Sequence, residues 1–388
     1  MNWDELVGQA PAKRYLRSVV TARRHAHAYL FKGPAGVGKR TAARIFAQAL
    51  LCEGRGTNDT ACGECKACRC LAAGTHPDVI PLRKFTEAGG EVGDHEPLIR
   101  LDTIQSVCEQ LHRSPMLGRQ RVALIPEAQR LCQGQAEAAN AFLKTLEEPP
   151  RSAVIILTSS QPEGLLETIV SRVQIVQFRR LSAAEIRAGL ALRAAARPEA
   201  DRELVVPLAD GSLGRALELL DGDLRTWRAA VVSGLGKLTP RTALQFGLGL
   251  WTLASEEGTR LFASEKGTDA PVTEDDAEGE ESGKAAEGAA KTEAGWRRYV
   301  FRRLLEVCEV CFRDGMIHAA SGNGNAALLQ PDQQELSRAL AARFGESGCA
   351  QVLAALREAT LATRLYVRGD VVGRAFGGKL VDAMSSPA

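Results

Sequence analysis

The sequence predicts an α/β domain with a parallel sheet over about the first 180 residues, followed by an all-helical remainder. Three observations carry that expectation. Short apolar runs alternate with helical periodicity as far as Phe178, the pattern of strands joined by helices on both faces of a sheet. One strand-to-helix junction, Gly33-Pro34-Ala35-Gly36-Val37-Gly38-Lys39-Arg40-Thr41, has the form of a phosphate-binding loop, in the strand, turn and helix order that such a loop requires. From Ser182 onward the pattern is alanine-rich and helical, with no strong strand signal.

The chain opens with a helical stretch from Trp3 to about Arg24, with Leu16, Val19 and Val20 on one face. Val7-Gly8-Gln9 lies where a nucleotide base could pack. Ala28-Tyr29-Leu30-Phe31 reads as the strand before the loop, and Arg40 to Leu51 as the helix after it, with Ile45, Phe46, Ala49 and Leu50 inward. In the loop, Gly33, Gly36 and Gly38 let backbone N–H groups converge on an anion, and the helix N-terminus adds partial positive charge. Lys39 would reach the terminal phosphates of ATP or ADP. The next position, where a magnesium-binding Ser or Thr is expected, holds Arg40, and Thr41 follows about 100° further round the helix.

Cys52, Cys62, Cys65 and Cys68 crowd into one short segment, two of their spacings being Cys-x-x-Cys steps. Four thiolates complete a tetrahedral zinc site and leave no position open for water, which predicts a structural zinc in an insertion at 52–70. Cys70 is a spare thiol beside it, and His76 reads as a turn residue.

Asp78-Val79-Ile80-Pro81-Leu82 reads as a second strand, and a Gly- and Glu-rich stretch from Phe85 to Pro97 reads as a surface loop. A helix from Leu101 to His112 places Ile104, Val107, Cys108 and Leu111 on one side. Arg121-Val122-Ala123-Leu124-Ile125 is a buried strand ending at Pro126-Glu127, where a P-loop ATPase would place an Asp-Glu pair for magnesium and water. Ala136 to Glu148 forms a helix stopped by Pro149-Pro150, and Ala153 to Leu157 a strand closed by Thr158-Ser159-Ser160. Pro162 to Arg172 reads as helical, and Gln174 to Phe178 as the last strand. Beyond it, Gly211-Ser212-Leu213-Gly214-Arg215 opens a helix whose Arg215 could face a nucleotide. The acidic, low-complexity stretch at about 265–294 predicts disorder. Cys308 and Cys311 sit one turn apart on a later helix and read as core thiols, and Gln333 to Arg368 supplies two more helices.

With 388 residues, 45% hydrophobic, 25% charged and a formal net charge of +2, the chain has room for two or three domains and no global bias toward nucleic acid. No run of 18 or more apolar residues occurs, so no membrane span is expected. The start lacks the pattern of a secretory signal, and a cytoplasmic protein is expected.

The order of these motifs (glycine loop, four cysteines, Thr75-His76-Pro77-Asp78, Asn140-Ala141-Phe142-Leu143-Lys144-Thr145-Leu146-Glu147-Glu148-Pro149-Pro150 and Ser171-Arg172) resembles bacterial DNA polymerase III clamp-loader ATPases of the AAA+ superfamily over residues 1–220. The resemblance implies a AAA+ nucleotide-binding domain at 1–180, a helical lid at 181–225 and a helical, oligomerising collar at 226–388. It is nearer to the delta-prime stator than to the gamma/tau motors, because Arg40 and Pro126 replace both protein groups that hold magnesium. It implies that Ser159 and Arg215 are sensor positions. It also implies that Arg172 enters a neighbouring subunit's ATP site in trans, Val173 standing where the family usually has Cys. The implied partners are gamma/tau and delta subunits in a hetero-oligomeric ring, with the sliding clamp and primer-template DNA reached through the assembly and no membrane. The alternative is an active gamma/tau-type motor. A P-loop nucleotide kinase ranks last, because it gives no use for the cysteines or for Ser171-Arg172.

Overall fold

Among the described residues, seven strands follow one another: β1 (Ala28–Lys32), β2 (Val79–Pro81), a short antiparallel pair β3 (Lys84–Phe85) and β4 (Glu91–Val92), then β5 (Arg121–Ile125), β6 (Ala153–Ser159) and β7 (Gln174–Gln177). Five of them form one parallel sheet in the order β2-β5-β6-β1-β7. β1 therefore lies inside the sheet, with Leu30 level with Leu157 of β6 and Ile175 of β7. The computed structural model describes residues 2–54, 59–81, 84–85, 91–92, 99, 101–132, 136–220, 223–266, 292–321 and 328–385. The acidic stretch expected to be disordered falls, from 267 to 291, outside the described residues.

Strand side chains alternate between the two faces, and each face is covered by helices. Tyr29, Phe31, Val154, Ile156 and Val176 share one core with Leu16, Val19 and Val20 of α1 (Ala10–Ala22) and with Ile45 and Phe46 of α2 (Lys39–Leu51). Tyr29 meets Phe46 edge-on, with ring centroids 5.1 Å apart. The cysteine segment contributes α3 (Lys66–Ala72), a helix not foreseen from the sequence. On the opposite face, Leu30, Ala123, Ile125, Ile155 and Leu157 pack with Ile104, Val107 and Leu111 of α4 (Leu101–His112) and with Phe142 and Leu146 of α5 (Ala136–Glu147). α6 (Glu167–Val170) is a single turn, and α7 (Ala183–Arg193) is opened by a Ser182–Glu185 capping box.

Two expected helices are shorter than the sequence suggests. The stretch from Trp3 splits into a 3-10 turn, Trp3–Glu5, and α1, because Gln9 between them adopts a left-handed conformation with φ 55°. Pro162 to Arg172 splits likewise: Leu165 and Leu166 are extended, which lets Leu165 bury its side chain and interrupts the helical ladder. β4 and the end of β3 lie within the region, Phe85 to Pro97, read as loop.

The chain forms two compact units, Met1–Pro198 with Ala209–Glu218, and Glu199–Leu208 with Leu219–Ala388. The stretch 181–225 is thus shared: α7 and the start of α9 (Leu213–Leu220) belong with the sheet, and α8 (Glu199–Leu208) with the helical unit. That second unit also contains α10 (Leu224–Gly236), α11 (Ala243–Lys266), α12 (Glu293–Ser321), α13 (Gln334–Arg364) and α14 (Gly369–Ser385). Its core includes edge-on ring pairs, Trp251–Phe301 and Phe312–Phe344. Cys308, Cys311 and Cys349 are buried there as core thiols. No helix among the described residues is long and apolar enough to cross a membrane.

Asp78 explains the acidic end of Thr75-His76-Pro77-Asp78. Its fully buried carboxylate accepts hydrogen bonds from the N–H groups of Met116 (2.6 Å), Leu117 (2.7 Å) and Gly118 (3.0 Å), with Arg121 at 3.7 Å. It thereby ties the start of β2 to the turn before β5. Burial pushes this carboxyl up, but the three N–H groups and the Arg121 charge outweigh it and hold it below its ordinary value. Asp78→Asn, which keeps one carbonyl acceptor, is expected to cost about 2 kcal/mol of unfolding free energy. The sign of the pH dependence follows from the depressed value. The contribution is complete above the unfolded carboxyl value of about 3.9 and is lost as pH falls through the lower folded one. Denaturant titrations of both proteins should therefore show a gap that is constant above about pH 5 and closes in stronger acid.

Candidate functional site

β1 hands the chain to a turn in which Gly33, Gly36 and Gly38 all take positive φ (148°, 69° and 100°). Gly38 is the N-cap of α2, and Lys39 its first residue. Such a turn has backbone groups that no strand or helix ladder can satisfy, so other elements must pair them. The Gly33 N–H donates to Ser159 O at the end of β6 (3.2 Å). Gly36 O accepts from the N–H of Gly214 at the start of α9 (2.9 Å). That approach leaves no room for side chains: a Cβ on Gly214 would lie 2.9 Å from Gly36 Cα, and one on Gly36 would lie 2.1 Å from Ser212 Oγ. Gln9 supplies a third tie. Its buried amide donates to Arg179 O (2.6 Å) and to Val37 O (3.4 Å), and accepts from the Arg179 N–H (3.0 Å).

The turn, the start of α2 and the start of α9 enclose a cavity of about 300 Å³, at the lower end of the range for small-molecule sites. Gly36, Gly38, Lys39, Arg40 and Thr41 line it, as the sequence predicts for a nucleotide cradle, and so do Val7 and Glu127. Glu5, Arg193, Leu217 and Glu218 also line it without having been singled out, because their roles depend on distant segments meeting. Three further expected residues are not among those lining the cavity. Gly33 forms the base of the turn, and Ser159 is buried, donating to Gln129 Oε1 (2.7 Å). The Arg215 N–H bonds Ser212 Oγ (3.1 Å), and Arg215 is not among the lining residues.

Lys39 is 5% exposed, and its ammonium donates to Gly33 O (2.7 Å) and Pro34 O (2.6 Å), bracing the turn from inside. Burial brings its ammonium down to about 8, against a partial opposing pull from Glu127. Glu127 stands at the end of β5 in a left-handed conformation, φ 47°. Its Oε2 accepts from Ser160 Oγ (2.6 Å) and Gln129 Nε2 (2.8 Å). Burial pushes this carboxyl up, yet those two bonds and the charges of Lys39 and Arg40 hold it below the ordinary value.

Away from the cavity, Arg172 follows the C-cap of α6 on the surface. Its guanidinium donates to Thr168 O (2.9 Å) and to Glu147 Oε1 at the end of α5 (2.8 Å).

The four cysteines converge. All their sulfurs lie within 4.8 Å of one another, Cys52 being 3.5 Å from Cys62 and 4.0 Å from Cys65, and Cys62 4.0 Å from Cys68. A tetrahedron with zinc–sulfur bonds of about 2.3 Å has sulfur–sulfur edges of about 3.8 Å, so the group can hold a metal ion of that size. Backbone N–H groups of Cys62, Cys65 and Cys68 point at the sulfurs of Cys52, Cys62 and Cys65. Burial pushes the Cys65 thiol up, but N–H groups of Cys68, Glu53 and Gly54 outweigh it and bring it down to about 6. Cys70 and His76 stand outside the group, and His76 Nδ1 accepts from the Asp78 N–H (3.1 Å) instead.

The amine of Lys39 gives a direct check on the cavity. In a ¹³C-lysine-labelled sample one side chain should titrate near pH 8, well below the ordinary lysine value of about 10.4, and Lys39→Arg should remove that signal.

A family model described as "DNA polymerase III, delta subunit" matches residues 8–182. Among curated proteins, the chain is 38% identical over 236 residues to DNA polymerase III subunit delta' of Pseudomonas aeruginosa, a match over 61% of this chain and 64% of that protein. It is 33% identical over 223 residues to DNA polymerase III subunit tau of Bacillus subtilis, over 56% of this chain and 37% of that protein. With the Escherichia coli tau subunit it shares 32% identity over 269 residues, which is 67% of this chain and 39% of that protein. The match thus spans less than two thirds of the length of each of these relatives.

Proposed function

Because this chain belongs to the family of bacterial DNA polymerase III clamp-loader subunits, with delta-prime and tau proteins among its relatives, we propose that it is a delta-prime-type stator of the replicative clamp loader. In this reading it stands in a ring with gamma/tau and delta subunits, supports ATP-dependent loading of the sliding clamp onto primer-template DNA, and does not itself hydrolyse ATP. Residues 1–180 act as the AAA+ domain, 181–225 as a lid and 226–388 as a collar. Ser159 and Arg215 stand as the sensor positions of this domain.

One observation carries the proposal. The arginine of the Ser171-Arg172 pair lies on the surface, anchored by Glu147 and Thr168 O, and is not among the residues lining the chain's own cavity. A guanidinium so placed is accessible to a phosphate on another chain. Its planar, permanently charged fork suits the charge that develops on a transferring phosphoryl group. The replacement of both magnesium-holding groups by Arg40 and Pro126 supports the same reading, since phosphoryl transfer depends on the metal for charge neutralisation.

The gamma/tau-type motor stays as the second reading, because Lys39 and Glu127 both reach the cavity. Steady-state ATP turnover of the purified chain decides between them: magnesium-dependent turnover abolished by Lys39→Ala would establish the motor. For the stator, Arg172→Ala should leave assembly intact and lower ATP turnover of the reconstituted complex severalfold. At the one site it faces, such an arginine contributes about 10³-fold or more. Unchanged turnover would remove the trans-arginine role.

For the cysteine group we propose a structural zinc, because four cysteine donors fill the coordination sphere. Metal analysis of the purified chain should find about one zinc ion per chain, and Cys65→Ser should lose it together with stability of the insertion. A folded, metal-free wild-type chain would overturn the assignment.

A further inference from the structure

The cavity at the glycine turn is lined by Lys39, Arg40 and Arg193 and by Glu5, Glu127 and Glu218, and the two adjacent cations stand at the turn itself. The two side chains that ordinarily hold a divalent cation beside such a turn are replaced, although Thr41, Glu5, Glu127 and Glu218 line other parts of the cavity. Where a hydroxyl would hold it, the chain presents the Arg40 guanidinium, which lines the cavity and is itself a cation. Where a carboxylate would support it, Pro126 offers no side-chain donor. The remaining carboxylate at that end, Glu127, has its Oε2 committed to Ser160 and Gln129 at 2.6 and 2.8 Å. Two adjacent positive side chains, Lys39 and Arg40, repel an incoming cation further.

The same features favour an anion with several charges. The thirteen-residue helix α2 begins at Lys39 and points its N-terminus into the cavity wall. Gly36 and Gly38, both with positive φ, line the wall beside it. Lys39 holds its ammonium on the carbonyls of Gly33 and Pro34 and would have to exchange them for phosphate oxygens. Arg40 is exposed at the cavity, and a guanidinium can offer a phosphate two parallel N–H donors. The apolar Leu6, Val7, Leu213 and Leu217 line the rest of the space, as a base and sugar would need.

We propose that this cavity binds a nucleoside di- or triphosphate without a divalent cation, the Arg40 guanidinium supplying the positive charge that magnesium would otherwise bring. The proposal rests on the turn being a phosphate cradle, but not on the trans role of Arg172. A nucleotide held this way is a fixed part of the domain rather than a substrate. It ties the turn to the start of α9, and no bond to phosphorus is made or broken.

The test is calorimetric binding of ADP and of ATP to the full chain, in EDTA and in excess magnesium. The expected dissociation constants differ by less than about threefold between the two conditions. Arg40→Ala and Arg40→Gln should each weaken binding about tenfold or more in EDTA, while zinc content stays unchanged, because the cysteine group does not include Arg40, and the gain in unfolding temperature on adding ADP shrinks. Arg40→Thr should make binding tighten on addition of magnesium. Lys39→Ala should abolish it in both conditions. Wild-type binding at least tenfold tighter with magnesium, or Arg40 variants that bind like wild type, would overturn the proposal while leaving the cradle in place. Absence of binding in either condition would overturn the cradle as well, and leaves the role of Arg172 to be judged by turnover of the assembled complex.

Discussion

The first unit depends on satisfying the backbone of one turn. Residues 33 to 38 leave the sheet without entering a ladder, so their N–H and C=O groups need partners from elsewhere. They find them at Ser159 on β6, at Gly214 before the body of α9, and at Gln9 before α1. Lys39 closes the set from within by donating to Gly33 O and Pro34 O. Segments separated by up to about 180 residues in sequence are thereby fixed around one small volume. The glycines serve this purpose as much as any ligand: at Gly36 and Gly214 two backbones approach so closely that a methyl group on either would collide.

Charge in that volume is arranged by the same logic. Buried charges are tolerated when neighbours and hydrogen bonds compensate them. Glu127 keeps its ionised form through Ser160, Gln129 and the two cations beside it, and Lys39 loses part of its preference for the charged form through burial. Arg40 stays in solvent contact at the mouth. The result is a cavity whose wall at the turn carries two adjacent cationic residues, Lys39 and Arg40, with Glu127 nearby. Arg172 belongs to a separate surface, where Glu147 orients it.

The cysteine insertion is organised locally, and this is why it could be read so directly. Cys62-Gly63-Glu64-Cys65 and Cys65-Lys66-Ala67-Cys68 are two tight turns whose N–H groups already point at sulfur, and α3 follows from the second. Only Cys52, at the end of α2, comes from outside the pair of turns. By contrast, Asp78 does its work by bonding the backbone nearly forty residues later, at Met116 to Gly118, and nothing in its immediate sequence announces those partners.

By itself the sequence determined what depends on short-range pattern. The five parallel strands, the helices α2, α4 and α5, the phosphate-loop geometry and the metal-capable cysteines all follow from periodicity, glycine placement and thiol spacing within about a dozen residues. So does the substitution of Arg40 and Pro126, which needs only residue identity. The tertiary structure decided what depends on distant segments meeting. It placed Glu5, Arg193 and Glu218 at the cavity and Ser159 and Arg215 away from its lining. It gave Gln9 and Asp78 their partners. It also broke the expected helices at Gln9 and at Leu165-Leu166. At those points a buried hydrogen bond or a buried leucine side chain outweighs local helical preference, and neither can be counted until the fold brings its partner within reach.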